Sequence, residues 1–326
     1  MTASITTDPA EAARVLAGGG VVGVPTETVY GLAAHAERPE AVRRIFTIKG
    51  RPAGHPLIVH GADAGVLDRY ADTVTDEVRR LADAFWPGPL TLVVPRNARV
   101  PDVVTGGRAT VGLRVPDHRL TLRVLELLDA GVAAPSANLF GRTSPTTAEH
   151  VRHDLGDAID LVLDGGTCAI GVESTILDMS DGHPVVLRTG GVQAEQIEAV
   201  IGRAVARTAD GPARAPGMLE VHYAPAARVV LTDVDGLART LAALGPAGRP
   251  VVVIAPREFT ADGATQVLRP AGPRAEDFAH DLYGLLRDAD AAGAATIVVV
   301  PPTGTGIAIA VRDRLRRAAA AGASHR

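Results

Sequence analysis

Gly18-Gly19-Gly20-Val21-Val22-Gly23-Val24-Pro25-Thr26-Glu27-Thr28 decides how the N-terminal part of this chain folds. Upstream, Asp8-Pro9 opens a helix that runs to the triple glycine, with Pro near its first position and Gly past its end. Val21 to Val24 is a short apolar run that reads as a buried strand, and Pro25-Thr26-Glu27-Thr28 is a polar turn at its end. The unit is therefore helix, glycine break, strand, polar turn. The pattern continues downstream. Helices are predicted near Pro39 to Ile48, Thr75 to Phe85, His118 to Asp129 and Gln193 to Ile201. Strands are predicted over Leu57 to His60, Leu90 to Val94, Thr110 to Val115, Val132 to Ala134, Asp160 to Leu163, Ser174 to Asp178 and Val185 to Arg188. Strands alternating with helices make an α/β sheet.

From Arg207 to Ala227 the character changes. Gly211-Pro212, Ala215-Pro216-Gly217 and Ala224-Pro225 break regular structure. Beyond it a simpler alternation of strand and helix predicts a small, parallel, Rossmann-like α/β domain. The expected division is a catalytic domain at 1–206, a linker at 207–227 and a C-terminal domain at 228–326. A 21-residue irregular segment is long for a hinge, so the linker is expected to close over the first domain's cleft as a lid.

Composition narrows the function. The formal net charge is −4 and aromatics make up 3% of the chain, which argues against a nucleic-acid binder built on basic surfaces and stacked bases. Stable nucleic-acid binding is therefore not expected. Cys168 is the only cysteine, which excludes an internal disulfide and a thiol metal cluster and suits a reducing, cytoplasmic setting. No apolar run approaches a membrane span, and the N-terminus lacks the pattern of a signal peptide.

Of 33 Lys and Arg residues, Lys49 alone is lysine. It stands in Ile48-Lys49-Gly50-Arg51-Pro52, an apparent loop, where a compact ammonium offers phosphate a point charge that a guanidinium does not. Other polar residues gather at strand ends: Thr26, Glu27 and Thr28 after the first strand, His60 at the end of another, and Arg114 in a strand otherwise apolar or glycine. Ser136 and Asn138 follow Val132 to Ala134, Ser144 comes soon after, Glu173 and Ser174 open a late strand, and Arg188 ends one. Ligands of open α/β sheets bind beyond strand ends. Four cations with hydroxyls and amides suit a polyphosphate and a small zwitterion. Singly, each residue has a plainer reading: Thr26 and Thr28 as turn residues, Ser136 as a helix cap, His60 as a structural histidine.

Pro25-Thr26-Glu27-Thr28-Val29-Tyr30-Gly31-Leu32 resembles the opening motif of the threonylcarbamoyl-AMP synthases, the YrdC-like family. Other motifs follow in that family's order: Lys49-Gly50-Arg51-Pro52, Pro56-Leu57-Ile58-Val59-His60, Trp86-Pro87-Gly88-Pro89-Leu90-Thr91, Arg114-Val115-Pro116, Ala134-Pro135-Ser136-Ala137-Asn138, Ser144-Pro145-Thr146, Gly171-Val172-Glu173-Ser174-Thr175 and Leu187-Arg188. The resemblance covers residues 1 to about 205, and His222-Tyr223-Ala224-Pro225 is similar to the linker of the long, two-domain form. It implies a YrdC-like twisted open sheet with flanking helices and a concave cleft. It also implies the conversion of L-threonine, bicarbonate and ATP to threonylcarbamoyl-adenylate, pyrophosphate and water. Mg2+ would ride on the ATP phosphates, with no protein metal site, and the product would pass to a tRNA threonylcarbamoyl transferase complex.

By the same resemblance Lys49 and Arg51 are the catalytic cations. ATP is expected on Lys49, Arg51, Thr110, Ser136, Asn138, Ser144, Arg188 and Tyr223, and threonine on Thr26, His60, Arg114, Ala134 and Ser174. The chain departs from the family's usual residues at His55, Leu219-Glu220-Val221 and Ala226. Two alternatives stand beside the synthase: a specialised paralogue adenylating another N-carboxy or carbamoyl substrate, and an RNA-binding maturation factor.

Overall fold

A computed structural model describes residues 3–207, 223–255 and 264–323. Residues 208–222, most of the expected lid, lie outside the described residues. The chain divides into two compact units. One comprises Met1–Phe140, Pro145–Ala169 and Glu173–Met218; the other comprises Gly141–Ser144, Ile170–Val172 and Leu219–Arg326.

The first unit is built on β1 (Ser4–Thr6), β2 (Val22–Val24), β3 (Gly31–His35), β4 (Ile58–His60), β5 (Leu90–Pro95), β6 (Thr110–Arg114), β7 (Val132–Ala133), β8 (Leu161–Leu163), β9 (Thr175–Asp178), β10 (Val185–Arg188) and β11 (Ala206–Arg207). They form one mixed sheet in the order β1-β8-β2-β3-β7-β4-β6-β5-β9-β10-β11. Side chains alternate between faces along the strands, with a register shift in β10 between Val186 and Arg188. Leu32 and Ala34, Val59, Leu92 and Val94, and Val111 and Leu113 enter the main core. Val22, Val24 and Ala33 point the other way, onto Ala12, Ala13 and Leu16 of helix Pro9–Ala17 and Val124 and Leu125 of helix Arg119–Leu128. Further along that second face, β4, β5, β9 and β10 carry the small apolar cluster Ile58, Val93, Ile176 and Leu187, with Val185 packed against it. His60, Thr91, Thr110 and Arg114 share its strand parity.

Helix Pro9–Ala17 forms as expected: Asp8 accepts from the Ala10 amide at 2.9 Å and Pro9 takes the first turn. β3 was not expected. Its Gly-Leu-Ala-Ala-His sequence is poor in strand formers, and pairing with β2 and β7 imposes the strand. Helices Gly65–Tyr70 and Ala148–Leu155 were likewise not among the expected elements. Arg207, taken as the first linker residue, still pairs in β11 beside Val186.

The second unit holds β12 (Arg228–Leu231), β13 (Val251–Ile254), β14 (Gln266–Leu268) and β15 (Thr296–Val299), all parallel, in the order β12-β15-β13-β14. Leu237, Leu241, Val251, Val253 and Val298 centre its core. Among the described residues no helix is long and apolar enough to cross a membrane.

Candidate active site

Two loops make the frame of the first unit's site. The Pro25–Tyr30 loop and the Pro135–Asn138 loop are stitched by backbone bonds, Leu32 N–H to Pro135 O at 2.7 Å and Ala137 N–H to Tyr30 O at 2.8 Å. Ala134 joins them to β4 through its N–H to Ile58 O at 2.9 Å. Within the first loop Thr26 Oγ1 donates to Val29 O at 2.6 Å and accepts the Thr28 and Val29 amides at 3.2 Å each. Its hydroxyl is thereby committed to the turn, so Thr26 shapes the loop.

Lys49 is not in a loop. It is the last residue of helix Pro39–Lys49, which Gly50 terminates in the left-handed region at φ 61°. Lys49 is 3% exposed, and its Nζ donates to Ser136 O at 2.5 Å and to Asn138 O. Burial, then the neighbouring Arg51 charge, push its pKa well below the ordinary lysine value. The chain's single lysine thus ties the helix end to the Ser136–Asn138 loop. Arg51, also buried, donates to Pro56 O at 3.0 Å and lies 5.8 Å from the Phe140 ring centre. His55 meets the same ring at 5.6 Å. Burial, then Arg51 and Arg108, lower the His55 pKa, so its imidazole lies among cations.

The other half of the site lies on the sheet. His60 and Arg114 are register partners on β4 and β6, and both are buried. His60 is held neutral, its pKa lowered to about 3 by burial and then by Arg114, while its Nδ1 has no partner among the described residues. Arg114 is fixed on two of its three nitrogens: Nε donates to Gly88 O at 3.2 Å and Nη2 to Thr28 Oγ1 at 2.9 Å. The same Nη2 lies 2.8 Å from Glu27 Oε1. Nη1 donates to no group among the described residues.

Ser174 links Thr91 to Arg188. Its hydroxyl shares a 2.8 Å bond with Thr91 and accepts from Arg188 Nη2 at 3.1 Å, while Arg188 Nε donates to Ser174 O at 3.0 Å. Gly190 makes this approach possible: a Cβ there would sit 2.3 Å from Glu173 O and the Thr175 amide nitrogen. Thr110 is half-buried at the other end of β6, on Arg114's strand face.

Ser144 and Tyr223 belong to the second unit. Ser144 is buried there. Tyr223 is 1% exposed, its ring stacked 6.0 Å from Tyr283 with the Arg314 guanidinium 5.1 Å from its centre. Sequence reasoning assigned no role to Glu27, Thr91, Phe140 or Gly190. Thr91 had a signal, a lone hydroxyl in Leu90-Thr91-Leu92, on the strand face opposite the two leucines.

Buried cations, a neutral imidazole and buried hydroxyls in the first unit suit an anionic ligand with several polar groups. The chain is similar to several known proteins. A family model described as "Telomere recombination" matches residues 14–190, and one described as "Threonylcarbamoyl-AMP synthase, C-terminal domain" matches 192–320. A threonylcarbamoyl-AMP synthase of Pyrococcus abyssi is 42% identical over 300 residues, 87% of either chain. One of Bacillus subtilis is 41% identical over 300 residues, 87% of this chain and 86% of that one. The crystal structure of P. abyssi Sua5 complexed with L-threonine superposes with a TM-score of 0.90 at 40% identity, covering 96% of this chain and 94% of that one.

Proposed function

The chain belongs to the threonylcarbamoyl-AMP synthase family, and from that premise we propose how its own residues make the adenylate. It is an enzyme of the nucleotidyl-transferring kind, serving tRNA modification. L-Threonine, bicarbonate and ATP are its substrates; threonylcarbamoyl-adenylate, pyrophosphate and water are its products. The threonine amine is carboxylated to a carbamate, and a carbamate oxygen attacks the ATP α-phosphorus as pyrophosphate leaves. No covalent bond to the protein is needed, so positioning and charge stabilisation carry the catalysis.

The observation that carries this reading is Arg114: a buried guanidinium fixed on Nε and Nη2 with Nη1 uncommitted. Nη1 receives the threonine carboxylate, with His60, Ser174 and the Ala134 strand end around it and Thr26 shaping the loop behind. His60 stays neutral, so its Nδ1 accepts a proton bond without adding a cation beside Arg114. Arg51 and Arg188 receive phosphate oxygens. Lys49 has two of its three N–H bonds on carbonyls; the third is directed to phosphate, while the other two shape the loop bearing Ser136 and Asn138. Thr110 contributes to the nucleotide's surroundings within the first unit.

Among the described residues no three His, Cys, Asp or Glu side chains gather into a metal cage. Magnesium would enter on the triphosphate, held by substrate oxygens. The enzyme works in the cytoplasm and passes its labile product to a tRNA threonylcarbamoyl transferase complex. The test is pyrophosphate release by the purified chain with ATP, bicarbonate and each common amino acid in turn. Threonine alone is expected to support turnover. Preference for another amine, or no turnover with any, refutes the reading.

A further inference from the structure

Glu27 lies in the loop that frames the site, and the residue is 6% exposed. Neither oxygen accepts a well-aligned hydrogen bond among the described residues, and the ion contact it makes is the 2.8 Å approach of Arg114 Nη2. Its charge acts on two other ionisable groups. His118 Nδ1 is also buried without a partner, with Glu27 among the charges acting on the ring. The Cys168 thiol is pushed up to about 12, chiefly by burial, with the Glu27 charge adding to it. A buried carboxylate with one ionic partner is costly unless it acts on that partner. Arg114 needs such a constraint. Gly88 O holds Nε and Thr28 Oγ1 holds Nη2, both neutral acceptors. Glu27 supplies the charged one, and it does so on Nη2, away from Nη1.

We infer that Glu27 is a positioning residue for substrate: it anchors Arg114 Nη2 so that Nη1 stays directed at the threonine carboxylate. Glu27 itself does not touch the substrate. The inference rests on the assignment of Arg114 as the carboxylate acceptor. Glu27 acts through Arg114, so its removal weakens threonine capture while ATP capture and the chemical step persist.

The test is the threonine and ATP dependence of pyrophosphate release in Glu27→Ala, Glu27→Gln, Arg114→Ala and the Glu27→Ala/Arg114→Ala double variant. Glu27→Ala is expected to raise the threonine KM about tenfold, with the ATP KM and kcat within about twofold of the parent. Glu27→Gln preserves volume and one acceptor, and is expected to raise the threonine KM about threefold. In the Arg114→Ala background, removing Glu27 should change nothing further, because a residue acting through Arg114 has lost its object. An unchanged threonine KM in Glu27→Gln, an equal rise in both KM values, or full additivity in the double variant overturns the inference. If Arg114→Ala leaves the threonine KM unchanged, the assignment of Arg114 fails instead. If Glu27→Ala does not fold, Glu27→Gln decides.

Discussion

His60 should make the first unit acid-sensitive by a calculable amount. It is 5% exposed, and burial followed by the Arg114 charge lowers its pKa from 6.5 to about 3, against a small opposing effect of the Ile58 carbonyl. In the unfolded chain the imidazole returns to its ordinary value. Between those two pH values the unfolded state holds a proton that the folded state refuses. Stability therefore rises with pH across this window and is lost as pH falls below about 6.5 toward 3. At about pH 5 the unfolded chain gains RT ln(1 + 10^1.5), about 2 kcal/mol, while near pH 7 the gain is negligible. His60→Asn removes the titration and keeps a polar side chain. Urea unfolding followed by fluorescence of Trp86, the chain's one tryptophan and part of the first unit, reads the difference. His35, His55 and His118 are also lowered by burial, but they are common to both proteins and cancel. The parent should lose about 2 kcal/mol more than the variant on going from about pH 7 to about pH 5. An equal loss in both would refute a buried, neutral His60.

Three other outcomes follow from the same geometry. Lys49→Met leaves the Ser136 and Asn138 carbonyls buried without their donor, so the first unit should lose about 2–4 kcal/mol in the Trp86-monitored titration and turnover should vanish. Arg114→Ala should raise the threonine KM by a factor of about 30 to several hundred, the equivalent of about 2–4 kcal/mol, and spare the ATP KM. Arg314 is 1% exposed between Asp313 and the Tyr223 ring; Arg314→Leu should speed amide hydrogen exchange in β12 to β15 while leaving β4 to β6 protected.

The architecture was legible where local chemistry and tertiary structure agree. Asp8-Pro9 and the triple glycine bounded a helix because capping is local, and the C-terminal alternation was parallel because strands joined by helices must be. β3 was illegible because its alanines have no strand preference of their own; its neighbours supply the pairing. The site was legible as a set of residue types, with Lys49 marked by its uniqueness. What the sequence could not give was direction. Lys49 looks like a solvated loop cation until the helix end buries it against two carbonyls. Glu27 looks like one more polar turn residue until the sheet brings Arg114, 87 residues along the chain, within 2.8 Å. A contact of that sequence separation has no local signature.

The central claim is that the chain places a carbon from bicarbonate between the threonine nitrogen and an adenylate. The direct measurement is mass spectrometry of the nucleotide product formed from ATP, L-threonine and carbon-13 bicarbonate. The account predicts threonylcarbamoyl-adenylate carrying the heavy carbon, in step with pyrophosphate release. An adenylate of threonine without the added carbon, or pyrophosphate released with AMP alone however early the reaction is sampled, would contradict it.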